Sequence, residues 1–183
     1  MKQREKLIEK QLNAVIKSHP LVDFKLFQVN ENYFELPEKN QWIIDGGIEL
    51  SFPYSVFSIG RNQDVDSFTF EKKKFEDIYS EDNFVELNSG NISRLKKLIN
   101  IKISEIEYKW IEYDVIVDYT MATEKESRLV ELKVKFESND VIHLATVDYE
   151  LEENDSPKDF SYDINGEILI ALNNADLKIN NVR

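Results

Sequence analysis

Residues 128–151 read RLVELKVKFESNDVIHLATVDYEL, and the architecture of the chain follows largely from this stretch. Apolar and polar residues alternate over 128–136, as they do on a strand with one face in water and one in the core. A second β-prone run covers 141–151, and only the polar turn Ser138-Asn139-Asp140 separates the two. A turn this short does not allow a parallel crossover, so the stretch predicts an antiparallel pair.

Similar runs flank this pair along the chain. Segments 103–119 and 167–172 complete a predicted antiparallel β-meander over 103–172, in which Asn165-Gly166 is a type I′ hairpin signal. A mixed β-rich part is predicted over 24–88, where Asp45-Gly46-Gly47 is expected to join two strands as a hairpin. Its candidate strands are 24–29, 33–36, 41–44, 47–52, 56–59 and 67–70.

Two segments have helical periodicity instead. Over 3–18, apolar residues recur at i, i+3/i+4 and i+7/i+8, which predicts an amphipathic helix, and Pro20 ends it. Residues 91–100 predict a second helix with Ile92, Leu95 and Leu98 on its apolar face, and 73–79 a further short one. We therefore predict a single α+β domain over 1–183, a largely antiparallel sheet with the N-terminal helix packed on it.

The composition limits the possible functions. The formal net charge is −12 and the pI is about 4.7, which argues against nucleic-acid and anionic-membrane partners because phosphates are drawn to basic patches. The chain has no cysteine, so it has no disulfide framework and no thiolate site. It shows neither a signal-peptide core nor a run of apolar residues long enough to span a membrane. We interpret it as a cytoplasmic protein.

The acidic charge is concentrated in one short segment. Residues 137–163 hold nine acidic residues and one basic residue, Lys158. The strand over 141–151 begins apolar on both faces and then becomes polar on one, so it should leave the core with its carboxylates in water. Acidic residues interleaved with aromatics predict a surface for a basic protein partner. The candidate partner-binding residues are Asp148, Tyr149, Glu150, Glu152, Glu153, Asp155, Asp159, Phe160 and Tyr162.

In class and composition the chain resembles bacterial immunity proteins, which are small, acidic, cysteine-free α+β proteins. Such proteins neutralise a cognate toxin, often a basic nuclease, by covering its active site. The resemblance implies a non-enzymatic inhibitor that needs no cofactor and no metal. It rests on no family motif, so it assigns no residue. From the acidic segment itself we expect carboxylates that pair with lysines and arginines of the partner, and Tyr149, Phe160 or Tyr162 as buried anchors.

Two alternatives remain open from the sequence. Asp118, Glu131 and Lys133 resemble the Asp…Glu-x-Lys pattern of PD-(D/E)xK nucleases, in which two carboxylates hold a divalent metal and the lysine orients water. The same alternation is typical of any half-exposed strand. A structural or regulatory subunit of an oligomer is the other alternative. His143, in the middle of a strand, is expected to be a hydrogen-bonded residue of the core or sheet face.

Overall fold

The computed structural model describes residues 2–29, 34–62, 67–79, 84–87, 92–117, 122–173 and 177–182. Within these ranges the chain is mostly antiparallel β-sheet, and its one helix of more than six residues is α1 (Lys2–Ser18). Ile8, Leu12 and Ile16 are buried, which confirms the predicted amphipathic helix. No helix in these ranges is long and apolar enough to cross a membrane.

The strands form two sheets. The smaller sheet has the order β6-β5-β4-β1-β7, and all its neighbours are antiparallel. Its strands are β1 (Asp23–Gln28), β4 (Gly47–Phe52), β5 (Ser55–Asn62), β6 (Ser67–Glu71) and β7 (Val85–Glu86).

The larger sheet has eight strands and branches at one of them. Its path is β13-β11-β10-β12-β3-β2, and β9 pairs with both β10 and β8. The strands are β2 (Phe34–Leu36), β3 (Gln41–Ile44), β8 (Ile103–Val117), β9 (Ala122–Phe136), β10 (Val141–Leu151), β11 (Pro157–Tyr162), β12 (Glu167–Leu172) and β13 (Asn180–Val182). The predicted antiparallel pairing of 128–136 with 141–151 is confirmed, with Ile142 opposite Val134.

The main core holds apolar side chains from both sheets and from α1. Leu12, Ile48, Phe57, Leu144 and Ile170 all belong to it and are buried. A second cluster contains Ile43, Ala145, Val147, Phe160, Tyr162 and Leu169. Its members on β3, β10 and β12 alternate with main-core residues along those strands. β10 is therefore buried on both faces as far as Val147, and this explains why apolar residues occur on both faces of this part of the strand.

The predicted hairpin at Asp45-Gly46-Gly47 is wrong. β3 pairs with β2 and β12, whereas β4 pairs with β1 and β5, so the chain changes sheets at this point. A type I′ turn needs positive φ, and neither glycine has it. The Asp45 carboxylate instead accepts a hydrogen bond from the Val29 N–H at 3.0 Å and holds the crossing against the end of β1.

The predicted Asn165-Gly166 hairpin is also wrong, for a related reason. β11 and β12 do not pair with each other but lie on opposite edges of β10. Residues 163–166 cross β10 in its middle, at Thr146 and Val147, where the Asp163 N–H donates to the Thr146 carbonyl at 3.1 Å. A β-carbon on Gly166 would lie 2.1 Å from the Val147 carbonyl oxygen, so the close crossing requires glycine.

The predicted helix over 91–100 is a single turn of α-helix, α2 (Ser93–Lys96). Beyond it the backbone continues in i→i−3 bonds, from Leu98 to Leu95, from Ile99 to Lys96 and from Ile101 to Leu98. Its predicted apolar face is nevertheless buried. A series of i→i−3 turns of this kind is tighter than an α-helix and stays short.

Candidate protein-interaction site

The acidic segment forms a hairpin at the branch point of the larger sheet. On one edge of β10, β12 pairs from Ile142 to Val147; on the other, β9 pairs as far as Ala145 and β11 takes over from Val147. Among the described residues, the strands β10 and β11 beyond Val147 pair only with each other, apart from the contact of β11 with β13 at its end. We call residues 148–159 the acidic hairpin.

The tip of the acidic hairpin presents carboxylates to solvent. Glu150, Glu152, Glu153, Asp155 and Asp159 are all exposed, and Leu151 between them is 50% exposed. The tip is tied by its own backbone, since Glu152 N–H donates to the Ser156 carbonyl and Asp155 N–H to the Glu152 carbonyl, both at 2.9 Å. The prediction that β10 leaves the core with its carboxylates leading is confirmed.

Two of the three candidate aromatic residues lie inside the protein, and the third is half-buried. Phe160 and Tyr162 are 4% and 6% exposed, in the second apolar cluster. Tyr149 is half-buried, its ring lies edge-to-face with Phe34 and Phe160, and its hydroxyl donates to Glu167 at 2.8 Å. These side chains fix the base of the hairpin to the sheet. The exposed apolar side chain of the hairpin is Leu151 instead, which no sequence pattern indicated.

Two further carboxylates lie near the base of the acidic hairpin. Burial raises the pKa of Glu167, and the nearby charges of Asp45 and Asp148 raise it further, although the hydrogen bond from Tyr149 opposes them. Burial and the Glu167 carboxylate in turn raise the pKa of Tyr149. Asp45 and Glu167 come from the ends of β3 and β12 and are buried and half-buried, so only the tertiary structure brings them near the base of the hairpin.

A cluster of polar side chains lies at the branch point of the larger sheet, at the base of the acidic hairpin. Glu131 accepts hydrogen bonds from Tyr162 through Oε2 and contacts His143 Nδ1 through Oε1, each at 2.7 Å. The Lys109 ammonium lies 3.9 Å from the centre of the Tyr162 ring. Burial by itself raises the pKa of Glu131, but the hydrogen bonds from His143 and Tyr162 outweigh it, so that pKa lies below its ordinary value. The prediction for His143, a hydrogen-bonded sheet residue, is confirmed.

Two residues of the nuclease alternative have other partners in the structure. Asp118 lies outside the described residues. Glu131 is bound to His143 and Tyr162, and the Lys133 ammonium lies 3.4 Å from Glu107. In the described part of the chain, no group of three or more histidines or carboxylates could hold a metal ion.

The carboxylates at the hairpin tip and those on the neighbouring strands β8 and β9 differ in their ion pairing. There the acidic residues are matched, since Glu105 and Glu107 pair with Lys135 and Glu107 also pairs with Lys133. At the hairpin tip, Glu152, Glu153 and Asp155 make no ion pair with any residue that the structure describes. Clustered like charges repel one another unless a cation or a basic partner relieves them.

Comparisons of the chain with protein-family models, with curated proteins and with solved structures found no match.

Proposed function

We propose that this is a non-enzymatic protein-binding protein whose acidic hairpin engages a basic protein, as an immunity-type inhibitor engages a basic toxin or nuclease. One observation carries the proposal. The carboxylates of Glu152, Glu153 and Asp155 are exposed next to the exposed Leu151, at the tip of a hairpin whose strands β10 and β11 pair with each other. An apolar side chain surrounded by charges of one sign is suited to a complementary protein surface.

The shape of the hairpin suits a concave partner. Two paired strands are about 5 Å apart, so the tip is narrow enough to enter a cleft. A nuclease cleft is lined with lysine and arginine because it binds phosphates, and carboxylates on a narrow tip present similar charges. The carboxylates would steer the encounter and pair with these cations, and Leu151 would supply apolar burial.

The base of the hairpin favours binding because it is already ordered. Tyr149, Phe160 and Tyr162 hold the two strands to the sheet through ring contacts and hydrogen bonds. A surface that is fixed before binding loses less conformational entropy on association, so more of the interaction energy remains as affinity.

The test begins with affinity capture from the source cells and continues with the captured basic protein in purified form. Titration calorimetry at about 50 mM and about 500 mM salt should give one-to-one binding that weakens strongly with salt. The hairpin variant Glu150→Gln/Glu152→Gln/Glu153→Gln should lose at least about tenfold in affinity and part of the salt dependence, and Leu151→Ala should weaken binding as well.

The matched control is Glu38→Gln/Asp77→Asn/Glu137→Gln, three exposed positions away from the hairpin that change the net charge by the same amount. It should bind like the wild type. Equal affinity for the hairpin variant and the wild type, or an equal loss in the control, would refute the proposal.

A further inference from the structure

The outer face of α1 carries a basic stripe. Lys6, Lys10 and Lys17 are all exposed and lie on the side of the helix opposite to Ile8, Leu12 and Ile16. At 3.6 residues per turn and 1.5 Å per residue, the three lysines fall within an arc of about 40° and extend over about 16 Å. Leu7 lies beside them and is 54% exposed.

Within the described ranges, the lysine stripe is not neutralised by carboxylates of its own chain. Lys6, Lys10 and Lys17 make no ion pair with any residue in the described ranges, including the carboxylates of the acidic hairpin. The opposite face of α1 packs on the main core, so the stripe is a fixed surface and not a loose segment. A basic helix face is notable in a chain with a net charge of −12.

We propose that the lysine stripe of one chain docks the acidic hairpin of a second copy. The two surfaces match in charge, three lysines against the carboxylates of the hairpin tip. They match in apolar content, since Leu7 and Leu151 are each about half exposed within their charged surroundings. They match in length, because five residues of an extended strand also span about 16 Å.

The symmetry of the assembly depends on how the lysine stripe and the acidic hairpin of each copy are used. Each copy carries one stripe and one hairpin. Two copies related by a two-fold axis make the contact twice and close as a dimer, whereas a head-to-tail arrangement extends into a ring or a filament. Because both surfaces are exposed and charged, the contact is weakened by salt.

This inference does not rest on the proposed function. Self-association needs the stripe and the hairpin, whereas a basic partner needs the hairpin alone. A basic partner would compete with the second copy for the hairpin, so adding it should dissolve the assembly. Either contact can fail while the other is observed.

The test is sedimentation velocity over a range of protein concentrations at about 50 mM and about 500 mM salt. Wild-type protein should sediment faster as its concentration rises at low salt and should be monomeric at high salt. The stripe variant Lys6→Gln/Lys10→Gln/Lys17→Gln and the hairpin variant Glu150→Gln/Glu152→Gln/Glu153→Gln should each remain monomeric. The control Lys73→Gln/Lys96→Gln/Lys97→Gln, at exposed lysines elsewhere, should associate like the wild type.

Mixing the two variants gives the decisive result. Each retains the surface that the other lacks, so an equimolar mixture should form a dimer of roughly twice the monomer mass and no larger species. Wild-type protein that stays monomeric at low salt would overturn the proposal. So would association that survives in either variant, or a mixture that stays monomeric.

Discussion

The Tyr162 hydroxyl donates a hydrogen bond of 2.7 Å to Glu131 Oε2, although the two residues lie on strands that do not pair with each other. β9, which carries Glu131, leaves the edge of β10 at Ala145, and β11, which carries Tyr162, occupies the same edge from Val147. The register of β8 with β9 shifts at this level, and Val130 has no opposing residue. The carboxylate therefore joins two strands at the point where the sheet branches.

Tyr162→Phe tests this junction. The change removes the hydroxyl and keeps the ring beneath the Lys109 ammonium, so it isolates one hydrogen bond to a buried carboxylate. We expect the free energy of unfolding in urea to fall by about 2 kcal/mol. Tyr54→Phe is the control because Tyr54 is 87% exposed, and it should change stability by less than about 0.5 kcal/mol. Equal effects of the two substitutions would show that the hydrogen bond from Tyr162 to Glu131 does not stabilise the protein.

Glu131→Gln should change the acid stability of the protein. The pKa of Glu131 is lower when folded than when unfolded, so its ionisation stabilises the protein above the ordinary value of about 4.5, and this contribution is lost as the pH falls through the lowered pKa. We expect Glu131→Gln to be less stable than the wild type near pH 7 and the two to converge in acid. Urea unfolding at a series of pH values measures this, and a difference that does not change with pH would refute it.

Glu167→Gln should have the opposite effect on stability, since it should stabilise the protein at neutral pH. The pKa of Glu167 is raised when folded, so the native state holds its proton more tightly, and wild-type stability falls as the pH rises from about 4.5 through the raised pKa. Glutamine keeps an acceptor for the Tyr149 hydroxyl and removes the charge beside Asp45 and Asp148. The variant should therefore gain stability over the wild type across this range and keep the gain at pH 7. A loss of stability at pH 7 would show that the carboxylate itself is required.

Gly46→Ala and Gly166→Ala should each lower the free energy of unfolding by at least about 2 kcal/mol. A β-carbon at either position would lie 2.1 Å from a carbonyl oxygen, that of Phe27 or of Val147, so the backbone would have to move. Asn165→Ala is the neighbouring control, with an exposed side chain, and should change stability by less than about 1 kcal/mol. Thermal or urea unfolding of the three variants provides the comparison; alanine tolerated at both glycines would rule out the close crossings.

Local sequence patterns predicted the positions of helices and strands well, but they predicted less well which strands pair with each other. Helical periodicity located α1, and the polar turn at 138–140 predicted the pairing of β9 with β10, because both signals lie within a few residues of chain. The two glycine turns predicted hairpins, and both predictions were wrong. At Gly46 and Gly166 a glycine is required by a carbonyl of a distant strand, and such a contact leaves no local pattern.

The candidate site shows the same division. The clustering of acidic residues over 137–163 and their exposure on β10 follow from the sequence, because charge and alternation are local properties. The inward positions of Phe160 and Tyr162, the placement of Asp45 and Glu167 near the base of the hairpin, and the exposure of Leu151 do not. These positions depend on which strands pair around β10. The pairing is set by the packing of apolar faces from distant parts of the chain. The sequence pattern is compatible with many strand registers, but only one arrangement packs all the apolar faces together.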